Sequence, residues 1–179
     1  MRFLLTALLA LLFASDTVDA AEAAPNAPAY IGRHTSTPED RRAIEQVVAD
    51  FQKALKTKDM LLLHSLMLTG DIPFSSPASP EAVRNIREKF DPTANGLRAG
   101  GFYSFANFIR EAKVPVEERF YNIKITQDKH VAWVMFDYEF VADGKVSNYG
   151  IETWQMMQNL EGKWKIASVW WSTNLMPEK

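Results

Sequence analysis

The sequence predicts an α+β protein, in which helices come first along the chain and an antiparallel sheet follows. Apolar side chains recur at helical spacing between Ile44 and Leu55, as in a helix with one buried side. From Val114 to Asn174, four long runs have the composition of strands, and short turns such as Asp143-Gly144 separate them. All five tryptophans lie in this second region, where both faces of the predicted sheet are largely apolar.

The first 20 residues are predicted to be an export signal that is removed. Arg2 supplies the positive start, residues 3–14 form an apolar run, and Val18-Asp19-Ala20 provides small residues for cleavage. The run is shorter than the roughly 20 residues that a membrane-spanning helix needs. We therefore expect a periplasmic or secreted protein without a membrane anchor after cleavage. Residues 21–36, rich in Ala and Pro, are expected to be a flexible leader, and residues 37–179 a single domain.

Composition excludes several classes of protein. The chain has no cysteine, so neither a disulfide nor a lipid-modified cysteine anchor is expected. With 20 basic and 22 acidic residues, it has no electrostatic basis for binding nucleic acid. Neither metal-ligand spacing nor a phosphate-binding or dinucleotide-binding glycine motif is present, so we expect no metal site and no cofactor.

Two helices are predicted before residue 70. Thr37-Pro38-Glu39-Asp40 predicts the start of the first, with Thr as N-cap and Pro at the first helical position. This helix is expected to end near Lys58. Asp59 can cap a second helix over residues 60–68, which is apolar nearly all round and is therefore expected to be buried.

The helical and strand signals are weaker between residues 69 and 101. Ser79-Pro80-Glu81 predicts the start of a third, short helix. The rest of this segment is predicted to be loop, serving either as a lid or as a static cover. A fourth helix is predicted over residues 104–112, and the strands over residues 114–127, 130–142, 145–160 and 163–174.

Alternation along the strands assigns the sheet side chains to two faces. The first predicted face combines acids with tryptophans and methionines: Trp133, Met135, Asp137, Glu139, Asn148, Glu152, Trp154, Met156, Trp164, Ile166, Ser168, Trp170 and Ser172. The second contains Val134, Phe136, Tyr138, Phe140, Tyr149, Ile151, Thr153, Gln155, Ala167, Val169 and Trp171. One β-bulge would exchange part of this assignment, and alternation does not say which face is concave.

This order of elements resembles the nuclear transport factor 2-like superfamily, which includes SnoaL-like polyketide cyclases and ketosteroid isomerases. The matching stretches are residues 40–51, 60–74 and 101–109, and above all Asp137-Tyr138-Glu139-Phe140 through Ser172. The resemblance implies a cystatin-like α+β cone, with the N-terminal helices packed in the concavity of a strongly curved antiparallel sheet. It carries no activity over, since no residue matches one-to-one the Asp base and Tyr–Asp oxyanion site of the isomerases.

Two groups of ionisable residues are candidate catalytic residues. Glu152 and Asp137 are candidates because an acid placed among tryptophans and methionines is able to move a proton near neutral pH. The alternative for Asp137 is a solvent-facing or ion-paired side chain. His64, near the end of the second helix, and Asp71 form a second candidate acid–base pair. Their alternative is a hydrogen-bonded core histidine and a turn aspartate.

Aromatic residues are candidates for binding a ligand, as flat walls or as hydroxyl donors. The candidate ligand-binding residues are Trp133, Tyr138, Trp154, Trp170, Phe74 and Tyr103. The alternative for each is packing in the core or at an interface.

Three functions are consistent with these patterns. The leading hypothesis is a domain that binds a small, largely apolar molecule in the cone between helices and sheet. The second is a cofactor-independent isomerase, cyclase or dehydratase with a pocket carboxylate or histidine as general base. The third is a protein-interaction or assembly module without a ligand. A homodimer through the outer sheet face is expected, because a monomer would leave that apolar face exposed.

Overall fold

The computed structural model describes residues 27–176, apart from the side chains of residues 97–99. The chain divides into two compact units, Met1–Arg33 and His34–Lys179. The predicted signal peptide and the first part of the predicted leader lie outside the described residues, and residues 29–32 form a turn. Within residues 27–176, every helix is too short or too polar to cross a membrane.

The second unit contains four helices and seven strands among the described residues, which confirms the predicted α+β class. The helices are α1 (Pro38–Thr57), α2 (Met60–Ser65), α3 (Pro80–Lys89) and α4 (Phe102–Glu111). The strands are β1 (Pro73–Pro77), β2 (Leu97–Gly101), β3 (Val116–Asp128), β4 (Val131–Ala142), β5 (Lys145–Gln158), β6 (Trp164–Trp171) and β7 (Asn174–Leu175).

The first helix begins and ends where the sequence predicts. The Thr37 side chain accepts a hydrogen bond from the Asp40 amide at 3.1 Å, which satisfies one free donor of the first turn. Lys58 ends α1 in the left-handed conformation, with φ of 52°. Buried Ile44 and Phe51 lie on the side of α1 that faces the sheet.

The second helix is shorter than predicted. It ends at Ser65, because the following backbone bonds to β6: Leu68 N donates to Ile166 O and Ile166 N donates to Leu66 O. The prediction that this helix is buried was also wrong. Leu63 is its buried residue, whereas the Leu61 side chain is 87% exposed.

The segment predicted as loop, residues 69–101, contains β1 and β2 in addition to α3. β1 pairs antiparallel with β2 and parallel with β6. The sheet is therefore mixed, not wholly antiparallel as predicted, although β3 to β6 form the expected antiparallel meander. Because β1 is hydrogen-bonded into the sheet, this part of the segment is a fixed strand and not a lid.

The strands form one curled sheet in the order β2-β1-β6-β5-β4-β3, with β7 paired to β5. α1 and α4 pack in its concavity, where α1 contacts β3 and β6 and α4 contacts β1 and β2. We call the covered face of the sheet the inner face. On β4 it carries buried Val134, Phe136 and Tyr138, whereas Trp133 and Met135 lie on the opposite, outer face.

The register shifts at three places in the described sheet, and the two shifts that involve β5 change which side chains of β4, β5 and β6 share a face. In the hairpin between β4 and β5, Val141 pairs with Val146 but Phe140 pairs with Asn148, so Ser147 is an extra residue. Beyond it, Glu152 lies opposite Phe136 on the inner face, and Asp137 lies opposite Ile151 on the outer face.

The grouping of Asp137 and Glu139 with Glu152 was therefore wrong, because that grouping assumed a hairpin without a bulge. A second bulge, at Ala167, separates the pair Gln155–Ser168 from the pair Met156–Ile166. It places Val169 and Trp171 on the inner face and Trp170 on the outer face, the reverse of the predicted assignment.

Candidate functional site

A cavity of about 260 Å³ lies between α1, α4 and the inner face of the sheet. Seven aromatic side chains line it: Phe51, Phe74, Phe105, Phe108, Tyr138, Phe140 and Trp171. Ser104, Phe108 and Ser147 line the cavity and are exposed to solvent, so its mouth is open on the side of α4 and the first bulge. The bulge residue therefore contributes directly to the rim.

The aromatic wall is held by ring contacts between elements that are distant in sequence. The Phe51 ring, on α1, lies 6.0 Å from Phe105 on α4 and 4.9 Å from Trp154 on β5. Phe74, on β1, stacks on Phe105 with ring centroids 5.0 Å apart. These contacts fix the rings around the cavity without filling it.

Two buried glutamates share the apolar interior with these rings. Glu118 and Glu152 line the cavity, and their side chains belong to residues only 7% and 3% exposed. Glu152 Oε1 accepts a hydrogen bond from Trp154 Nε1 at 2.6 Å. Glu118 Oε2 is buried and has no hydrogen-bond partner among the described residues. An unsatisfied buried carboxyl oxygen is a rare feature in a folded protein and calls for a physical explanation.

Burial raises the pKa of both glutamates. Removal from water raises the pKa of Glu152 to about 8, against the opposing effect of the Trp154 hydrogen bond. Burial, reinforced by the charge of Glu152, raises the pKa of Glu118 well above its ordinary value. The pair therefore holds at least one proton at neutral pH. While it is protonated, the pair is able to donate a hydrogen bond, and when it is ionised it attracts a cation.

Tyr138 and Asn148 form the polar edge of the cavity. The Tyr138 hydroxyl lies 2.8 Å from Ser172 O and 3.0 Å from Asn148 Oδ1. A hydroxyl has one hydrogen to donate, and the backbone carbonyl of Ser172 only accepts. If the Asn148 amide is turned by 180°, its nitrogen donates to the Tyr138 oxygen, and both interactions are satisfied.

The structure brings together some of the predicted site residues. Glu152, Tyr138 and Phe74 line the cavity. Trp154 is fully buried on the inner face and acts on the site through its hydrogen bond to Glu152.

The other predicted site residues lie elsewhere. Asp137 is exposed on the outer face, where Asn122 Nδ2 donates to Asp137 Oδ2 at 2.6 Å. Trp133 and Trp170 are half exposed on the same outer face. These three residues were assigned to the pocket because the bulges at Ser147 and Ala167 were not foreseen.

His64, Asp71 and Tyr103 are exposed and lie outside the cavity. The ring of His64 packs edge-on against Phe102 at 4.7 Å and lies 5.7 Å from Tyr103. After α2 ends at Ser65, the backbone of Leu66 and Leu68 bonds to Ile166 of β6.

Sequence reasoning did not single out Glu118. A signal for it exists in the alternation Val116, Glu118 and Phe120, which puts Glu118 on the same side of β3 as two apolar residues. Val116 is buried, and Glu118 lies opposite Phe140 on the neighbouring strand. An acid on the apolar side of a strand is the feature to look for.

No protein-family model matches the chain, and no curated protein matches it in sequence. Solved structures do match. It is similar to an NTF2-like protein of unknown function from Shewanella baltica, at 15% identity over 80% of this chain and 100% of that one, with a TM-score of 0.56.

An NTF2-like protein of unknown function from Pseudomonas putida is similar at 10% identity over 80% of this chain and 93% of that one, with a TM-score of 0.58. A protein with a cystatin-like fold from Nostoc punctiforme is similar at 13% identity over 77% of this chain and 93% of that one, with a TM-score of 0.54. The chain therefore has the nuclear transport factor 2-like, or cystatin-like, fold that its sequence resembles.

Proposed function

We propose that this protein binds a small, largely apolar molecule with one polar group in the cavity between the helices and the inner face. The observation that carries the proposal is an open cavity of about 260 Å³ with aromatic walls and a buried acid pair. A dry cavity of about 150 Å³ accepts a benzene molecule. Pockets for drug-sized ligands have about 300–1,000 Å³. The cavity is thus suited to one ring with a short substituent.

Cofactor-independent proton transfer is the second candidate function. It is favoured by the position of Glu152, which lines the cavity and whose pKa is raised to about 8. A base with a pKa near the working pH is suited to removing a proton next to a carbonyl group. Glu118, when protonated, would donate a hydrogen bond to the carbonyl oxygen.

One experiment with 4-phenyl-2-butanone separates these functions. We expect this ketone to quench tryptophan fluorescence in a saturable manner, because Trp171 lines the cavity and Trp154 is hydrogen-bonded to the lining residue Glu152. In deuterated water, NMR measures exchange of the hydrogens next to the carbonyl. A binding protein leaves this exchange at the buffer rate. An enzyme accelerates it, and Glu152→Gln abolishes the acceleration while binding persists.

The exposed change Glu45→Gln, on α1, is the control for this experiment. It should leave quenching and exchange as in the wild-type protein. If the ketone and ring analogues of similar size all fail to quench, the binding proposal is wrong. The remaining hypothesis would then be a protein-interaction or assembly module without a ligand.

The protein is also proposed to be exported and to form a homodimer through the outer face. Export is supported by the composition of residues 1–20. Dimerisation is supported by a group of exposed apolar side chains on β4, β5 and β6: Trp133, Met135, Tyr149, Ile151, Met157 and Trp170. Soluble monomers rarely expose apolar patches larger than a few hundred Å².

Native mass spectrometry of the protein purified from its own compartment tests both proposals. We expect a dimer whose chains lack about 20 N-terminal residues, as expected for signal cleavage. Ile151→Lys should give a monomer, because it buries a charge in the proposed interface. Leu61→Lys, on the exposed side of α2, should remain a dimer. A monomeric wild-type protein, or chains of full length, would refute the corresponding proposal.

A further inference from the structure

We propose that the ligand is a small aromatic amine, bound as its ammonium ion by Glu118 and Glu152. This inference rests on the proposed function, since it names the chemical class of ligand for the same cavity. It follows from three features of the cavity: the charge of its walls, an unsatisfied oxygen atom and the aromatic rings.

The charge balance of the cavity favours a cation. Its ionisable lining residues are Glu118, Glu152 and Tyr138, and none of the described Lys, Arg or His side chains lines it. An anionic ligand would be repelled whenever either acid is ionised. A neutral ligand would leave both acids in the same protonation state as in the empty protein. A cation allows the pair to ionise, and the charges then attract in an apolar surrounding that strengthens electrostatic interactions.

In the ionised pair the hydrogen-bond balance points to a donor on the ligand, because a carboxylate oxygen only accepts. Glu118 Oε2 has no partner within the described part of the chain, although the residue is more than nine-tenths buried. Leaving such an atom unsatisfied is unfavourable, and a ligand that donates to it removes this penalty. An ammonium group carries three donors, which is enough to reach both carboxyl groups.

The aromatic walls suit an organic cation better than a metal ion. Phe51, Phe105 and Phe140 line the cavity together with the acids, and aromatic rings attract cations through their faces. A metal ion needs more ligands than this pair supplies. Within residues 27–176, no group of three or more His, Cys, Asp or Glu residues is placed to hold one.

Ionisation of the pair links amine binding to pH. An ammonium ion favours the ionised acids, so its affinity should rise as the pH rises through about 8, where Glu152 loses its proton. The rise should continue only below the pKa of the amine itself, about 10.4 for an alkyl ammonium such as Lys. A neutral ligand of the same shape should not show this rise.

The test compares three ligands of similar shape by isothermal titration calorimetry: 2-phenylethylamine, 2-phenylethanol and phenylacetate. At a pH of about 8, the amine should bind at least about tenfold more tightly than the alcohol, because it forms charge-assisted hydrogen bonds. Phenylacetate should not bind measurably. Glu152→Gln and, separately, Glu118→Gln should remove the preference for the amine while keeping the affinity for the alcohol.

The outcomes distinguish this inference from the function on which it rests. If the alcohol binds as tightly as the amine, the amine proposal is overturned but the cavity remains a binding site. If phenylacetate binds most tightly, the charge argument is overturned. If none of the three binds to the wild-type protein, both the amine proposal and this size of ligand are refuted. A preference that survives both glutamine variants would also refute the assigned role of the acids.

Discussion

Replacing Glu152 with Gln is expected to stabilise the protein, by an amount that grows as the pH rises from about 5 to about 8. The folded protein holds the Glu152 proton up to a pH of about 8, whereas an exposed glutamate in the unfolded chain loses it near its ordinary pKa of about 4.3. Between these values the folded state binds one proton more than the unfolded state. The stabilisation associated with that proton is complete below the unfolded pKa and is lost as the pH rises through the folded one.

The loss amounts to at most about 1.4 kcal/mol for each pH unit. Gln removes it because an amide does not ionise, and the amide oxygen still accepts the hydrogen bond from Trp154 Nε1. The measurement is the free energy of unfolding in urea at several pH values. The wild-type value should fall with pH, and the Glu152→Gln value should fall less. The exposed variant Glu45→Gln should parallel the wild type. Parallel curves for wild type and Glu152→Gln would show that Glu152 is not buried as an acid.

Gly150→Ala is expected to destabilise the protein strongly. A Cβ atom at this position would lie 2.3 Å from the backbone oxygen of Ser172 and 2.6 Å from its Oγ. The chain at Ser172 would have to move away, although it is held by three contacts. Ser172 O lies 2.8 Å from the Tyr138 hydroxyl, Ser172 Oγ accepts from Ile151 N, and Ser172 N donates to Ile151 O.

Forced overpacking costs about 1–3 kcal/mol and each lost hydrogen bond about 1 kcal/mol, so we expect a loss of about 2–4 kcal/mol in the free energy of unfolding. Gly100→Ala is the matched control, because its Cβ would meet the nearest atoms at 3.7 Å, an ordinary contact. It should change the free energy by less than about 0.5 kcal/mol. Equal effects of the two substitutions would contradict the close approach of Ser172 to Gly150.

The sequence was a good guide to elements with local signals. Thr37 and Ser79 cap α1 and α3 as predicted, since capping depends only on neighbouring residues. The Asp143-Gly144 turn likewise lies in the predicted hairpin. β1 was missed because it is short, has proline at both ends, and is stabilised by a parallel pairing with β6, in which Phe74 pairs with Val169.

The candidate site was only partly predictable, because its composition depends on the bulges at Ser147 and Ala167. Alternation placed Glu152 among apolar residues, and the structure also places it there. One extra residue at Ser147 moved Asp137 to the outer face, and another at Ala167 exchanged Trp170 for Trp171. Bulges depend on how strands pair, so a single strand carries little signal for them. The association of Glu118 with Glu152 also depends on the pairing of β3, β4 and β5.

The association of two buried glutamates with an open aromatic cavity is most directly tested by a carboxyl-carbon NMR titration of the wild-type protein. The structure predicts one glutamate that titrates near pH 8 and a second that keeps its proton well above the ordinary pH range. In Glu152→Gln, the first of these signals should be lost and the titration of the second should change. A spectrum in which every glutamate titrates near the ordinary value of about 4.3 would contradict the arrangement of the site.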